Sequence, residues 1–151
     1  MDIREDDLTG AAVRDLLRLH LTEARTTAPP ENRHALDMDA LLAPDITIYT
    51  AWERDELLGM AALRRLAADH GELKSMRTAP NALRRGVAGA LLNHIVAVAR
   101  AKGMLRLSLE TGTHPLFDAA NRLYERHGFV DGPVFGGYPE SAHNRFMTLE
   151  L

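Results

Sequence analysis

The stretch between Ile46 and Glu110 constrains the fold of this chain more than any other part of the sequence. Ile46 to Trp52 alternates with period two and is rich in branched and aromatic residues, which is typical of a half-buried strand. Two tight turns follow it, Arg54-Asp55-Glu56 and Asp69-His70-Gly71. Because tight turns join antiparallel neighbours, the sequence predicts three successive antiparallel strands.

The connection after these strands is of a different kind. Pro80 ends the third strand, Glu72 to Thr78, and a small-residue loop leads into a predicted helix from Val87 to Lys102. Leu105 to Glu110 then alternates again between apolar and polar residues, as a strand does. A strand, a helix and a strand in this order predict a right-handed parallel crossover next to the antiparallel strands.

The remaining elements complete one domain. They are predicted as a strand at Ile3, helices at Thr9 to Arg25, Leu36 to Leu42 and Phe117 to His127, and strands at Phe129 to Phe135 and Arg145 to Leu151. The 151 residues, 46% apolar and 26% charged, suit a single domain with a real core. We therefore expect a mixed α/β (α+β) fold, with a largely antiparallel sheet of about six to seven strands, a central parallel pair and about four flanking helices.

Composition excludes several classes of function. The chain has no cysteine, which rules out disulfides and thiolate nucleophiles and suits a cytoplasmic protein. Its acidic start is unlike a signal peptide, and its longest apolar run, Val87 to Ala99, is too short to cross a bilayer. The histidines lack metal-ligand spacing, so no metal is expected. The net charge of −3 argues against nucleic acid as a partner.

The positive charge lies close to a turn that is suited to an anion. Residues 73 to 109 hold seven of the 18 basic residues and no acidic residue. Gly86-Val87-Ala88-Gly89 opens the central helix, where unpaired N–H groups and the helix dipole favour a phosphate. The turn is neither a Walker A loop nor a dinucleotide fingerprint. A glycine turn that serves only packing is the alternative.

Three separated pieces of sequence carry a resemblance to a known family. Arg84 to Leu92, Leu105 to Gly112 and Leu123 to Phe129 follow one another in the order and spacing of the GNAT (GCN5-related N-acetyltransferase) superfamily. The resemblance spans essentially the whole chain. It implies transfer of an acetyl group from acetyl-CoA to an amine, with this chain's glycine turn around the CoA pyrophosphate.

The resemblance also implies which residues hold acetyl-CoA. The pyrophosphate loop corresponds to Arg84, Arg85, Gly86, Val87, Ala88 and Gly89, and the strand beside the pantetheine arm to Met76, Arg77 and Thr78. Leu83 stands where the family usually has Gln or Arg. Phe117 stands where the family commonly has Asn, with Asn121 as a nearby substitute.

The catalytic candidates are one tyrosine and two glutamates. The resemblance implies that Tyr124 protonates the leaving thiolate, and a packed helix aromatic is the alternative. An alkylammonium has to lose a proton before it can attack, so Glu72 or Glu110 is a candidate base; for either, a solvated strand end is the alternative. Strand parity places Glu72 on the face of Met76 and Thr78 unless a bulge intervenes.

The acceptor is expected to be a small-molecule amine. The resemblance places His34 and Tyr138 beside it, and ordinary loop polarity is the alternative for both. The leading hypothesis is direct acetyl transfer in a ternary complex. The rivals are an acyl-CoA-binding module without catalysis and a protein-interaction domain without a CoA site. Assembly of two copies through a sheet edge is a further expectation.

Overall fold

A computed structural model of the chain describes residues 1–27 and 38–151, with the side chains of residues 24–27 left out. The described residues form one seven-stranded sheet in the order β1-β2-β3-β4-β5-β7-β6. The strands are β1 Asp2–Asp6, β2 Ile46–Glu53, β3 Glu56–Ala67, β4 His70–Thr78, β5 Arg106–Gly112, β6 Val130–Asp131 and β7 Asn144–Glu150. The helices are α1 Ala11–Thr27, α2 Val87–Ala101 and α3 Asp118–Arg126, with short 3-10 turns at Ala40–Leu42, Pro80–Ala82 and Pro115–Phe117.

The predicted topology is confirmed. Strands β1 to β4 pair antiparallel in succession, and α2 carries the chain across to β5, which pairs parallel to β4. Strand β7 then pairs antiparallel to β5, and β6 pairs antiparallel to β7. Within the described part of the chain no helix is long and apolar enough to cross a bilayer.

Two predicted elements differ from the structure. The strand predicted from Phe129 to Phe135 covers only Val130–Asp131, because Pro133 has no N–H to donate to a sheet ladder. The segment predicted as a helix from Leu36 to Leu42 is described only from Met38 onward, where it contains the 3-10 turn Ala40–Leu42. The described residues thus hold three α-helices where about four were expected.

Helix α2 is held on the sheet by one apolar face. Leu91, Leu92, Ile95 and Ala99 have no exposed surface, and they recur at the three- and four-residue spacing that a helix face requires. Burying a leucine or isoleucine side chain contributes about 1.5–3 kcal/mol each. This packing fixes where the first turn of α2 lies relative to β3 and β4.

A β-bulge reverses the side-chain direction halfway along β4. Ser75 has a positive φ of 54°, and the pairing with β3 shifts between Ala62↔Lys74 and Met60↔Arg77. Because the bulge adds one residue, Lys74 and Arg77 point to the same face of the sheet, although ordinary alternation would separate them.

The bulge is the exception that the parity prediction allowed for. Gly59, whose α-carbon faces Val87 of α2, pairs with Thr78, so Thr78 points toward α2. Glu72 precedes the bulge and points to the opposite face, which α1 covers. Glu72 and Thr78 therefore do not share a face.

Strands β4 and β5 separate after a short parallel ladder. Their pairing runs from His70↔Arg106 to Leu73↔Leu109 and goes no further, although both strands continue. Backbone groups of β4 beyond Leu73 therefore face a cleft on the β5 side. An extended ligand can add to such a strand edge through main-chain hydrogen bonds.

Gly59 allows α2 to approach the sheet at this cleft. A Cβ atom at position 59 would lie 2.8 Å from Val87 Cγ1 and 2.9 Å from the Arg77 carbonyl oxygen. We expect Gly59→Ala to lower the free energy of unfolding by about 1–3 kcal/mol, because backbone or helix has to move. Urea unfolding measures it, with Gly10→Ala as the control, since nothing lies within 4 Å of a Cβ at position 10. Equal stability of the two variants would contradict this packing.

Candidate active site

Glu72 is the most buried charged side chain of the cleft region. Its exposed fraction is 1%, and it precedes the point where β4 and β5 separate. Its Oε2 atom accepts hydrogen bonds from Tyr138 Oη at 2.8 Å and from Lys74 Nζ at 3.2 Å. Its Oε1 atom is buried and has no hydrogen-bond partner among the described residues. One carboxylate oxygen is thus anchored, and the other is buried without a hydrogen bond from the described residues.

Tyr138 is hydrogen-bonded to one of the two predicted carboxylates and is influenced by the charge of the other. Its hydroxyl bonds Glu72, and both Glu72 and Glu110 raise the pKa of the Tyr138 hydroxyl, after the larger effect of burial. Glu110 Oε2 accepts a hydrogen bond of 3.0 Å from Asn144 Nδ2 in β7. The structure therefore gathers Glu72, Glu110 and Tyr138 on one side of the sheet. His34, the other residue predicted to contact the acceptor, lies outside the described residues.

The glycine turn before α2 has the geometry that the sequence predicted. Gly86 caps the helix with a φ of 78°, in the left-handed region that glycine adopts easily, and Arg84 has a φ of 62°. The first intrahelical bond is donated by Ala90 to Gly86, so the N–H groups of Val87, Ala88 and Gly89 have no helical acceptor. A Cβ at Gly86 would touch nothing within 4 Å, and the first turn holds no acidic residue. The turn can therefore hold an anion with backbone groups.

Two arginines predicted to bind the cosubstrate have other partners. Arg85 pairs with Glu53 at 3.1 Å and Glu56 at 3.6 Å, both at the β2–β3 turn. Arg77 makes a two-pronged pair with Glu23 of α1, on the face away from α2. The positive charge of the turn is consequently smaller than the sequence suggests. The turn therefore offers an anion its backbone N–H groups and the Arg84 side chain.

Helix α3 is tied to the end of β5 by a buried amide. Asn121 donates to the Gly112 carbonyl oxygen at 3.0 Å and accepts from Thr111 Oγ1 at 2.8 Å. Phe117 packs over Gly112, where an added Cβ would lie 2.4 Å from the ring. Both side chains predicted to contact the cosubstrate thus position α3 against the cleft.

Tyr124 is one helical turn from Asn121 and on the same face of α3. Its side chain is 7% exposed and packs on Phe129, with ring centroids 5.9 Å apart. Burial raises the pKa of the Tyr124 hydroxyl to about 12. The hydroxyl consequently keeps its proton at neutral pH, as a general acid must.

The burial of His20 gives folding a pH dependence. Burial, and then the Arg77 charge, lower the pKa of His20 to about 4. Since the unfolded histidine binds its proton below about pH 6.5, this part of the stability is complete above that pH and is lost as the pH falls toward 4. We expect the drop in unfolding free energy from pH 7 to pH 5 to be smaller in His20→Gln by at most about 2 kcal/mol, measured by urea unfolding. An unchanged drop would contradict a neutral His20.

The sequence interpretation missed Lys74, which completes the Glu72 cluster. Lys74 was counted with the basic residues around the glycine turn, yet its side chain lies on the other face of the sheet with Glu72. Glu72 and Lys74 are two residues apart on a strand, which places them on one face, and this spacing is the signal that could have found the pair.

Comparisons with known proteins show the family to which the chain belongs. Residues 11–129 match the model of the Acetyltransferase (GNAT) family. The chain is 48% identical over 149 residues to YedL of Escherichia coli (strain K12), an uncharacterised N-acetyltransferase, covering 99% of this chain and 94% of YedL. It is 46% identical over 151 residues to YsnE of Bacillus subtilis (strain 168), also an uncharacterised N-acetyltransferase, covering all of both chains.

The fold is also that of a solved acetyltransferase. A GNAT family acetyltransferase from Elizabethkingia anophelis, crystallised with acetyl-CoA bound, superimposes with a TM-score of 0.73 at 21% identity, over 99% of this chain and 97% of the other. The chain belongs to the GNAT family. The family is one of acetyltransferases, and both relatives are named as N-acetyltransferases.

Proposed function

We propose that the chain acetylates a primary amine of a small molecule by direct transfer, with Glu72 as the general base and Tyr124 as the general acid. The single observation that carries the proposal is the buried Oε1 of Glu72, which has no partner among the described residues. A buried carboxylate oxygen without a hydrogen bond is costly. An acceptor ammonium group would supply the missing donor.

The proton transfer follows from this arrangement. A bound alkylammonium donates a proton to Oε1, directly or through one water, and its nitrogen becomes a nucleophile. The nitrogen attacks the thioester carbonyl, the new C–N bond forms, and the C–S bond breaks. The acylated nitrogen then loses its second proton to water, and Glu72 returns the proton that it took to the solvent. The products are the N-acetylated amine and the thiol of CoA.

The leaving thiolate requires a proton donor. Tyr124 has a protonated hydroxyl at neutral pH, because burial raises its pKa to about 12. In this proposal it delivers that proton to the sulfur, and bulk water restores it afterwards. The thiolate is then never expelled unprotonated into an apolar cleft, which would be costly.

The amide groups at the start of α2 serve binding. Three backbone N–H groups without a helical acceptor would hold the pyrophosphate of acetyl-CoA, and β4 beyond the bulge would hold the pantetheine arm through its free edge. Direct transfer needs no covalent intermediate on the protein, which agrees with a chain that contains no cysteine.

An amine panel tests the proposal. We expect release of CoA thiol from acetyl-CoA only when an acceptor is added, and an N-acetylated product by mass spectrometry. Initial-rate lines are expected to intersect, because both substrates are bound together; parallel lines would indicate a covalent intermediate. Tight CoA binding without product from any small amine would favour the acyl-CoA-binding module without catalysis and overturn the proposal.

A further inference from the structure

Lys74 is a buried cation beside the proposed base. Its side chain is 8% exposed, and its Nζ lies 3.2 Å from Glu72 Oε2 and 2.8 Å from the Tyr138 hydroxyl oxygen. The same ammonium lies 5.5 Å from the centroid of the Tyr138 ring. Lysines are almost never this buried without a partner. Lys74 is therefore not an ordinary surface charge, and its buried position requires another explanation.

The three side chains form a closed triangle of hydrogen bonds. Lys74 donates to Tyr138 and to Glu72, and Tyr138 donates to the same Glu72 oxygen, Oε2, at 2.8 Å. Two donors on Oε2 leave Oε1 as the oxygen without a partner among the described residues. The triangle thus determines which carboxylate oxygen is left without a hydrogen bond.

Tyr138 is placed in the triangle by its own loop. Gly136 and Gly137 precede it with φ values of 62° and 77°, which glycine adopts readily. Its ring packs on Phe135 and Phe146, with centroids 5.6 Å and 6.3 Å away. The hydroxyl is therefore delivered to Glu72 from a fixed direction, without relying on a bound ligand.

We propose that Lys74 and Tyr138 are positioning residues, which hold Oε2 of Glu72 so that Oε1 faces the acceptor amine. This inference rests on the proposed role of Glu72 as the base. It assigns a function to Lys74, and it changes the role of Tyr138 from contacting the acceptor to orienting the base. Correct orientation of a reacting group is worth a large factor in rate, and a misplacement of about 1 Å can cost roughly a hundredfold.

A double-mutant cycle tests the inference. We expect Lys74→Met and Tyr138→Phe to lower kcat by roughly 10- to 100-fold, with the KM for acetyl-CoA unchanged. In a Glu72→Gln background the same substitutions are expected to have little further effect, because each acts only through the carboxylate. Lys102→Met, an exposed lysine at the far end of α2, is the matched control.

The outcomes separate the possible failures. If Lys74→Met or Tyr138→Phe lowers kcat by the same factor in the Glu72→Gln background as in the unchanged chain, the positioning role is overturned. An effect of Tyr138→Phe that is confined to the KM of the amine would instead indicate that Tyr138 binds the acceptor. Full activity of Glu72→Gln alone would instead overturn the proposed function. Tyr138→Phe keeps the ring packing, so it carries the test even where melting curves show that Lys74→Met does not fold.

Discussion

Glu72→Gln is expected to lower kcat/KM for the amine by roughly 10²- to 10⁴-fold, the range that general-base catalysis contributes. Glutamine keeps the shape of the side chain and one oxygen that can accept from Tyr138 and Lys74. It cannot take a proton from the acceptor. We therefore expect the KM for acetyl-CoA to stay close to that of the unchanged chain, since the anion-holding turn lies at α2. Steady-state rates with varied amine and varied acetyl-CoA measure both quantities.

Two further glutamate variants make this result specific. Glu150→Gln changes a carboxylate that is 69% exposed and pairs with Arg106 at the rim of the sheet, and it is expected to leave the rate within about twofold. Glu110→Gln distinguishes the two candidate bases. A loss in Glu110→Gln that matches or exceeds the loss in Glu72→Gln would contradict the assignment of the base.

Tyr124→Phe is expected to lower kcat by roughly 10²-fold or more, because the leaving thiolate loses its proton donor. The substitution removes only the hydroxyl and keeps the packing on Phe129. The loss is expected to shrink with an acetyl thioester of a more acidic thiol, since such a thiol leaves without help from an acid. Single-turnover rates with the two donors measure this dependence.

The matched control for Tyr124 is Tyr49→Phe. Tyr49 is 3% exposed in the same core and packs edge-on against His94, so the substitution removes the hydroxyl of another buried tyrosine. The rate of Tyr49→Phe is expected to stay within about twofold of the rate of the unchanged chain. Equal losses in both variants, or a Tyr124→Phe loss independent of the leaving group, would show that packing rather than proton donation is affected.

The order of the strands could be predicted because its signals are local. Tight turns after Trp52 and Ala67 define the antiparallel strands, and the glycine turn at Gly86 followed by an amphipathic helix defines the crossover. These patterns depend on the period of apolar residues and on turn chemistry, both of which a single sequence carries. Tyr124 and Glu72 were predicted as catalytic candidates from the family resemblance rather than from periodicity.

The features that were missed depend on contacts between distant residues. Residues 72 to 78 contain no glycine or proline that would signal the bulge at Ser75. The face of the sheet on which Thr78 lies could therefore not be predicted. The basic run was interpreted as a patch, but Arg77 and Arg85 are paired with glutamates from α1 and from the β2–β3 turn. Charge that is segregated along a chain is not necessarily segregated in space.

A crystal structure with CoA and the acceptor amine bound tests the central claim most directly. We expect the pantetheine arm between β4 and β5, the pyrophosphate on the N–H groups of Val87 to Gly89, and the sulfur within about 3.5 Å of the Tyr124 hydroxyl. We also expect the acceptor nitrogen within hydrogen-bond reach of Glu72 Oε1, directly or through one water. A complex in which the sulfur lies away from Tyr124, or the amine away from Glu72, would contradict the claim.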